Sequence, residues 1–264
     1  MNNSIKNKFS KTNKLYHFTK FETALKIINS GRQLFGELAG MNDVCESCKV
    51  VYNKYTEGRK WKIDNINTEI SKYIQISMTN DSDCRFGFDL QQMWGLYAEK
   101  GKGVCLVYDK DEIEKALSPT DMRGMIKYCC HVTPDEIFDM KEEDNLEECV
   151  KKYAKQQFFR KRKEWEWEQE YRILRRGNEK GKEFLDISNS LKYIIMQNAN
   201  SQDAGQCVVD SIEYKIMEAV AGEIPIFVYT HFIGEQKLDY KNEFTIWDSK
   251  NQFEQKSLGV NIDV

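Results

Sequence analysis

Proline is nearly absent from this sequence, with 3 in 264 residues, and no Pro- or Gly-rich linker interrupts it. At ~150 residues per domain the length corresponds to about 1.8 domains, and without a linker one compact domain is expected. An excess of charge of either sign is missing too: 39 Lys and Arg face 42 Asp and Glu, for a net charge of −3. That excludes a globally basic nucleic-acid binder and leaves room for a local basic patch. No apolar run approaches the ~20 residues that cross a bilayer. Residues 1–14 are rich in Asn and Lys without the apolar core of a secretory signal, so they read as a polar leader to a domain over 15–264. No Walker loop, GxGxxG or HExxH occurs.

What is present suits a soluble globule: 41% apolar, 12% aromatic and 31% charged residues. A single globule of this length buries roughly three quarters of its unfolded surface and needs neither disulfides nor structural metal to fold. The 8 cysteines in so long a chain fit free thiols in a reducing cytoplasm rather than a secreted framework. Cys45-x-x-Cys48 resembles half a zinc site, with Cys129, Cys130 and His131 as its only partners. Adjacent cysteines match the usual spacing poorly, so no metal is expected.

Leu15-Tyr16-His17-Phe18 suits a strand. Thr19 and Glu22 have capping-box spacing, and Phe21, Ala24, Leu25 and Ile28 then repeat with helical period until Gly31. Tyr73–Thr79 alternates, with Ile74, Ile76 and Met78 on one face and Gln75, Ser77 and Thr79 on the other, as a half-buried strand does. Asp89 is placed to cap a helix carrying Met93, Trp94 and Tyr97. Val104–Tyr108 is a buried strand. A long helix is expected over about 135–163, within a helical insertion at 135–165, ending in the solvated run Arg160-Lys161-Arg162-Lys163. Further strands are expected at 191–196 and 224–229, with a helix near 208–220. Strands and helices intermingle without a βαβ repeat, which gives an α+β class: one domain with a split, mainly antiparallel sheet and flanking helices.

Residues 166–174 carry the strongest chemical signal. As a strand, they put Glu166, Glu168, Glu170 and Arg172 on one face, with Trp167, Tyr171 and Ile173 on the other. Same-face acids ~7 Å apart raise one another's pKa unless a cation compensates, and Arg172 is placed to do so. As a helix, the same residues give a core stripe of Trp167, Tyr171 and Leu174 and an ordinary Glu168–Arg172 pair. His17 likewise has two readings, a hydrogen-bonded structural residue or a donor near a helix N-terminus where diphosphates bind.

Taken together, Leu15-Tyr16-His17-Phe18-Thr19, Met41-Asn42-Asp43 with Glu46, Met93-Trp94-x-x-Tyr97-Ala98, Gly101-x-Gly103-Val104-Cys105-Leu106 and Trp165-x-x-Glu168-x-Glu170-x-Arg172 resemble a bacterial domain-of-unknown-function family numbered 2971. Val44-Cys45 stands where that family usually has Pro-Phe. His17, Ser77-Met78-Thr79 and Glu168-x-Glu170 also resemble, in order, the three strand elements of ADP-ribosyltransferases, with about 90 residues between the second and third.

The second resemblance implies an ADP-ribosyltransferase-like fold and an enzyme that consumes NAD, either transferring ADP-ribose or hydrolysing NAD. By analogy it would act in conflict between bacterial cells and phages. Cleaving the nicotinamide–ribose bond builds an oxocarbenium-like cation, which a fixed carboxylate stabilises. The resemblance gives that role to Glu170 and the acceptor to Glu168. His17 would hold the adenosine-side ribose beside Tyr16 and Thr19, Ser77 and Thr79 would support the acid, Tyr97 would stack on nicotinamide, and Arg172 would keep the acids ionised or hold a phosphate. The acceptor would be water, a protein or a nucleic acid, with no membrane and room for a regulatory partner protein. Two alternatives belong to other classes: a non-catalytic nucleotide- or protein-binding sensor, and a magnesium nuclease using Glu168, Glu170 and Asp43.

Overall fold

The computed structural model describes residues 13–38, 57–82, 85–130, 145–178, 181–198, 206–232, 235–240, 243–247 and 253–257. Nearly all of the polar leader, Met41–Glu46, Cys48, His131 and the start of the expected insertion lie outside them. Along the chain come β1 (Lys14–Thr19), α1 (Phe21–Ser30), β2 (Arg32–Leu34), β3 (Gly36–Glu37), α2 (Glu57–Ile70), β4 (Tyr73–Asn80), α3 (Gln91–Tyr97), β5 (Val104–Asp109) and α4 (Lys110–Lys115). Then follow β6 (Met122–Met125), β7 (Lys127–Cys129), α5 (Leu146–Phe158), β8 (Arg160–Arg162), β9 (Glu170–Arg176), β10 (Phe184–Asp186) and β11 (Leu191–Asn198). The last elements are α6 (Gln206–Val209), α7 (Ile212–Ala221), β12 (Ile226–Phe232), β13 (Glu235–Tyr240), β14 (Glu243–Trp247) and β15 (Phe253–Ser257). The class is mixed α and β with mainly antiparallel pairing; β11–β12 and β7–β8 are parallel.

The chain divides into two compact units, Met1–Gln33, Met78–Ala116 and Asp186–Val264 in the first, Leu34–Ser77 and Leu117–Leu185 in the second. In the first, the strand order is β15-β14-β13-β12-β11-β5-β1, and the last residues of β4 pair with β1. β5 reads Val-Cys-Leu-Val-Tyr without alternation because it lies between β1 and β11 and is buried on both faces. The Phe18 ring meets Trp94 edge-on at 5.1 Å, so α3 covers the Tyr16 and Phe18 face of the sheet. Helix α1 buries Ala24 and Ile27, one turn apart, and packs against β5 and α7. It stops at Gly31, whose φ of 62° is the left-handed conformation that glycine adopts at little cost.

Two expected caps are replaced. Thr19 continues β1, so the N-cap is Lys20 with no side-chain bond, and Glu99 Oε2 instead accepts from the Phe21 N–H at 3.2 Å. Asp89 does not cap α3 either. It is buried in a short helical turn, Gly87–Asp89, and accepts from the Tyr229 hydroxyl at 2.6 Å.

In the second unit β4 lies between β3 and β9, and β6 pairs antiparallel with β9. The expectation of a half-buried β4 fails, since Gln75 and Thr79 on its polar side are buried as well. Helices α2 and α5 pack through Ile63, Ile66, Val150, Tyr153 and Phe158 into a core that includes Tyr73 and Leu174. The expected helix to residue 163 ends at Phe158. Phe159 leaves helical geometry, and the following basic run becomes β8, paired with β7, rather than a solvated helix end. Residues 163–168 form a helical turn that the left-handed Gln169 closes, at φ 48°. The acid file on one strand face is therefore corrected: only Glu170 and Arg172 share the strand, and Glu168 precedes it on the turn.

Candidate functional site

Tyr16, His17, Thr19, Thr79 and Tyr97 belong to the first unit, and Ser77, Glu168, Glu170 and Arg172 to the second. In the first unit Thr79 sits directly opposite Tyr16 in the β1–β4 register and so shares its face. His17, one residue on, points to the other face. The imidazole and the Thr79 hydroxyl therefore lie on opposite faces of the sheet. The Thr79 hydroxyl is buried without a hydrogen-bond partner among the described residues. Tyr16 is fully buried, and its hydroxyl donates to Asp81 Oδ2 at 3.2 Å. Burial, with the Asp81 charge, pushes that phenol well above its ordinary pKa. Thr19 is buried and Tyr97 half-buried at the end of α3.

The second unit does bring functional candidates together. Glu168 (3% exposed), Glu170 (3%) and Arg172 (0%) meet Lys161 (6%) in a buried cluster. Arg172 forks onto Glu170, Nε to Oε1 at 2.7 Å and Nη2 to Oε2 at 2.9 Å, while its Nη1 donates to the Phe158 carbonyl at 2.7 Å. Lys161 Nζ lies 2.7 Å from Glu168 Oε2 and 2.8 Å from Glu170 Oε2. Two acids and two cations cancel, which is how four charges tolerate burial. Beside them the Tyr128 hydroxyl accepts from the Glu170 N–H at 2.8 Å, and burial raises the phenol's pKa.

Burial alone would lift the Glu170 carboxyl, but the charges and hydrogen bonds of Arg172 and Lys161 outweigh it and hold the group at about 2. Glu170 is therefore a fixed, ionised carboxylate. Arg172 has the place expected of it. Lys161 and Tyr128 escaped the sequence reading, because a lysine in a basic run looks solvated. The available signal was alternation: if 160–162 is a strand, the middle cation points away from its neighbours.

Residues 93–173 match the model of a family described as a protein of unknown function (DUF2971). The matched segment opens on Met93-Trp94 and closes one residue beyond Arg172, so it contains all four cluster residues. The motif pieces at 15–19 and 41–46 fall outside it. No curated protein and no solved structure matches the chain, and the ADP-ribosyltransferase resemblance gains no support.

The second unit also holds a groove of about 750 Å³, walled by Phe35, Leu38, Tyr73 and Ile74, with Lys72 and Lys182 at its lining. Such a volume suits a small organic ligand. Arg175 braces this wall from behind, stacking 4.3 Å from the Phe35 ring centre and paired with Asp121 at 2.6 Å. Among the described residues no group of three or more His, Cys, Asp or Glu is placed to hold a metal ion, and no helix is long and apolar enough to cross a membrane. Cys45 and Cys48 lie outside the described residues.

Proposed function

We propose that the protein acts on NAD, breaking the bond between nicotinamide and ribose and passing ADP-ribose to water or to a protein or nucleic-acid acceptor. The bond's electron pair leaves with nicotinamide, positive charge spreads over the ribose C1′ and ring oxygen, and the acceptor's oxygen or nitrogen closes on C1′ while losing its proton. The observation that carries this reading is the setting of Glu170: buried, forked by Arg172 and held ionised by its cations. A carboxylate held so is what a developing cation requires, because its orientation is settled before the charge appears. Glu168, two residues away, is the second acid of the Glu-x-Glu order and is assigned to the acceptor. The fold proposed with this chemistry is ADP-ribosyltransferase-like.

The experiment is nicotinamide release from NAD by the purified chain, with Glu170→Gln alongside. In Glu170→Gln protein that circular dichroism shows to be folded at the assay temperature, loss of one interaction used in the transition state lowers turnover by about 100-fold or more and leaves NAD binding nearly unchanged. Absence of release, or release indifferent to Glu170→Gln, removes this reading. The groove of about 750 Å³ favours one other: a binding module for a nucleotide, with its aromatic wall for the base and Lys182 for phosphate. NAD or ATP binding without turnover, lost in Lys182→Glu, would select it.

A further inference from the structure

A developing cation at Glu170 meets a place where a cation already sits. The Lys161 ammonium is 2.7 Å from one acid, 2.8 Å from the other and 5.4 Å from the centre of the Trp165 ring. With it in place the four charges sum to zero, and the acids have no net attraction left for a substrate's charge. Withdrawal of Lys161 alone leaves a net charge of −1 against an aromatic face.

The two cations are not equally fixed. Arg172 lies on the same strand as Glu170, two residues on, and is held by a fork and by the Phe158 carbonyl. Lys161 reaches in from β8, a strand of 3 residues whose pairing is with β7. Its ammonium is a point charge on a flexible stem, without the planar fork that pins a guanidinium. Of the two, Lys161 is held by the less directional contacts.

We infer that Lys161 is a positioning residue that plugs the Glu168–Glu170 pair: its ammonium occupies, in the resting protein, the position that the substrate's cation takes during reaction. The plug rests on the NAD reading only for the identity of that cation. It bridges the two acids in the resting protein and balances the one negative charge that Arg172 leaves over.

Lys161→Ala removes three methylenes and the ammonium, which is the outline of n-propylammonium. In the 264-residue chain this variant is expected to melt about 10 °C below the wild type, because two buried acids are left with one of their two cations. Tens of millimolar n-propylammonium is expected to restore roughly 5 °C and to change the emission of Trp165, where sodium chloride of equal ionic strength does neither. The wild type, with its place filled, should not respond.

Should Lys161→Ala fail to fold, Lys161→Met carries the test. With one cation left for two buried acids, proton uptake by the folded state relieves the excess negative charge, so this variant gains stability as pH falls from 8 to 5, while Lys161→Arg behaves as the wild type. No response to the amine in a folded Lys161→Ala, or no such pH dependence in Lys161→Met, overturns the plug. Nicotinamide release measured on the same samples separates the two claims. If the amine fills the site and no form releases nicotinamide, the NAD reading fails and the plug stands. If nicotinamide is released and the amine has no effect, the plug fails and the NAD reading stands.

Discussion

Arg172→Leu is expected to destabilise the protein by about 3–5 kcal/mol, which at 2–4 °C per kcal/mol for a chain of this size lowers the melting temperature by roughly 10 °C. Leucine fills much of the volume, so the cost is electrostatic: Glu170 loses its fork, and the Phe158 carbonyl loses its donor. Arg172→Lys recovers only part, since an ammonium cannot serve two carboxylate oxygens and a carbonyl in one plane. Arg172→Leu with Glu170→Leu should lie much closer to the wild type than Arg172→Leu alone, because it leaves Lys161 and Glu168 as a matched pair. Thermal denaturation of the three variants checks this. A loss within 0.5 kcal/mol for Arg172→Leu, the usual range (~0.5) of a surface substitution, would mean that the cluster is not buried as described.

Gly103→Ala is the second large effect, expected at about 3 kcal/mol. A Cβ there would stand 2.3 Å from the Thr19 carbonyl oxygen and 2.8 Å from backbone atoms of Ala98. Both neighbours are fixed, Thr19 by its pairing with Val104 and Ala98 by accepting the Gly103 N–H at 2.8 Å. The turn must therefore open. Gly95 is the internal control, with nothing within 4 Å of its would-be Cβ on α3. Gly95→Ala should gain up to ~1 kcal/mol from helix propensity. Equal urea midpoints for Gly103→Ala and Gly95→Ala would contradict the close approach of β1 to the turn before β5.

What the sequence made legible follows from how local each signal is. Strand β1, helix α1 with its stop at Gly31, and the unalternating β5 were readable because periodicity and a glycine decide them within a dozen residues. Residues 159–169 were not. A basic run after an amphipathic helix looks like that helix's solvated end, and only burial of Lys161 against Glu168 and Glu170 turns it into a strand. Asp89 shows the same limit: its partner is Tyr229, 140 residues on, so a tertiary contact outbids the local cap. The placement of His17 and Thr79 on opposite faces depends on a one-residue register, which no composition argument reaches. Arg172 beside Glu170 was legible, since residues two apart on a strand share a face whatever the fold around them.

The central claim is that Glu170 stays ionised while buried. Carbon-13 labelling of glutamate side-chain carboxyls, with Glu170→Gln to assign the signal, reads this directly as pH is lowered. The folded carboxyl at about 2 lies below its ordinary 4.5, so its stabilising contribution is complete above 4.5 and is lost as pH falls from there toward 2. The account predicts a Glu170 signal that keeps its carboxylate position down to about pH 3. A Glu170 signal moving with a midpoint at or above 4.5 in the folded protein would contradict it.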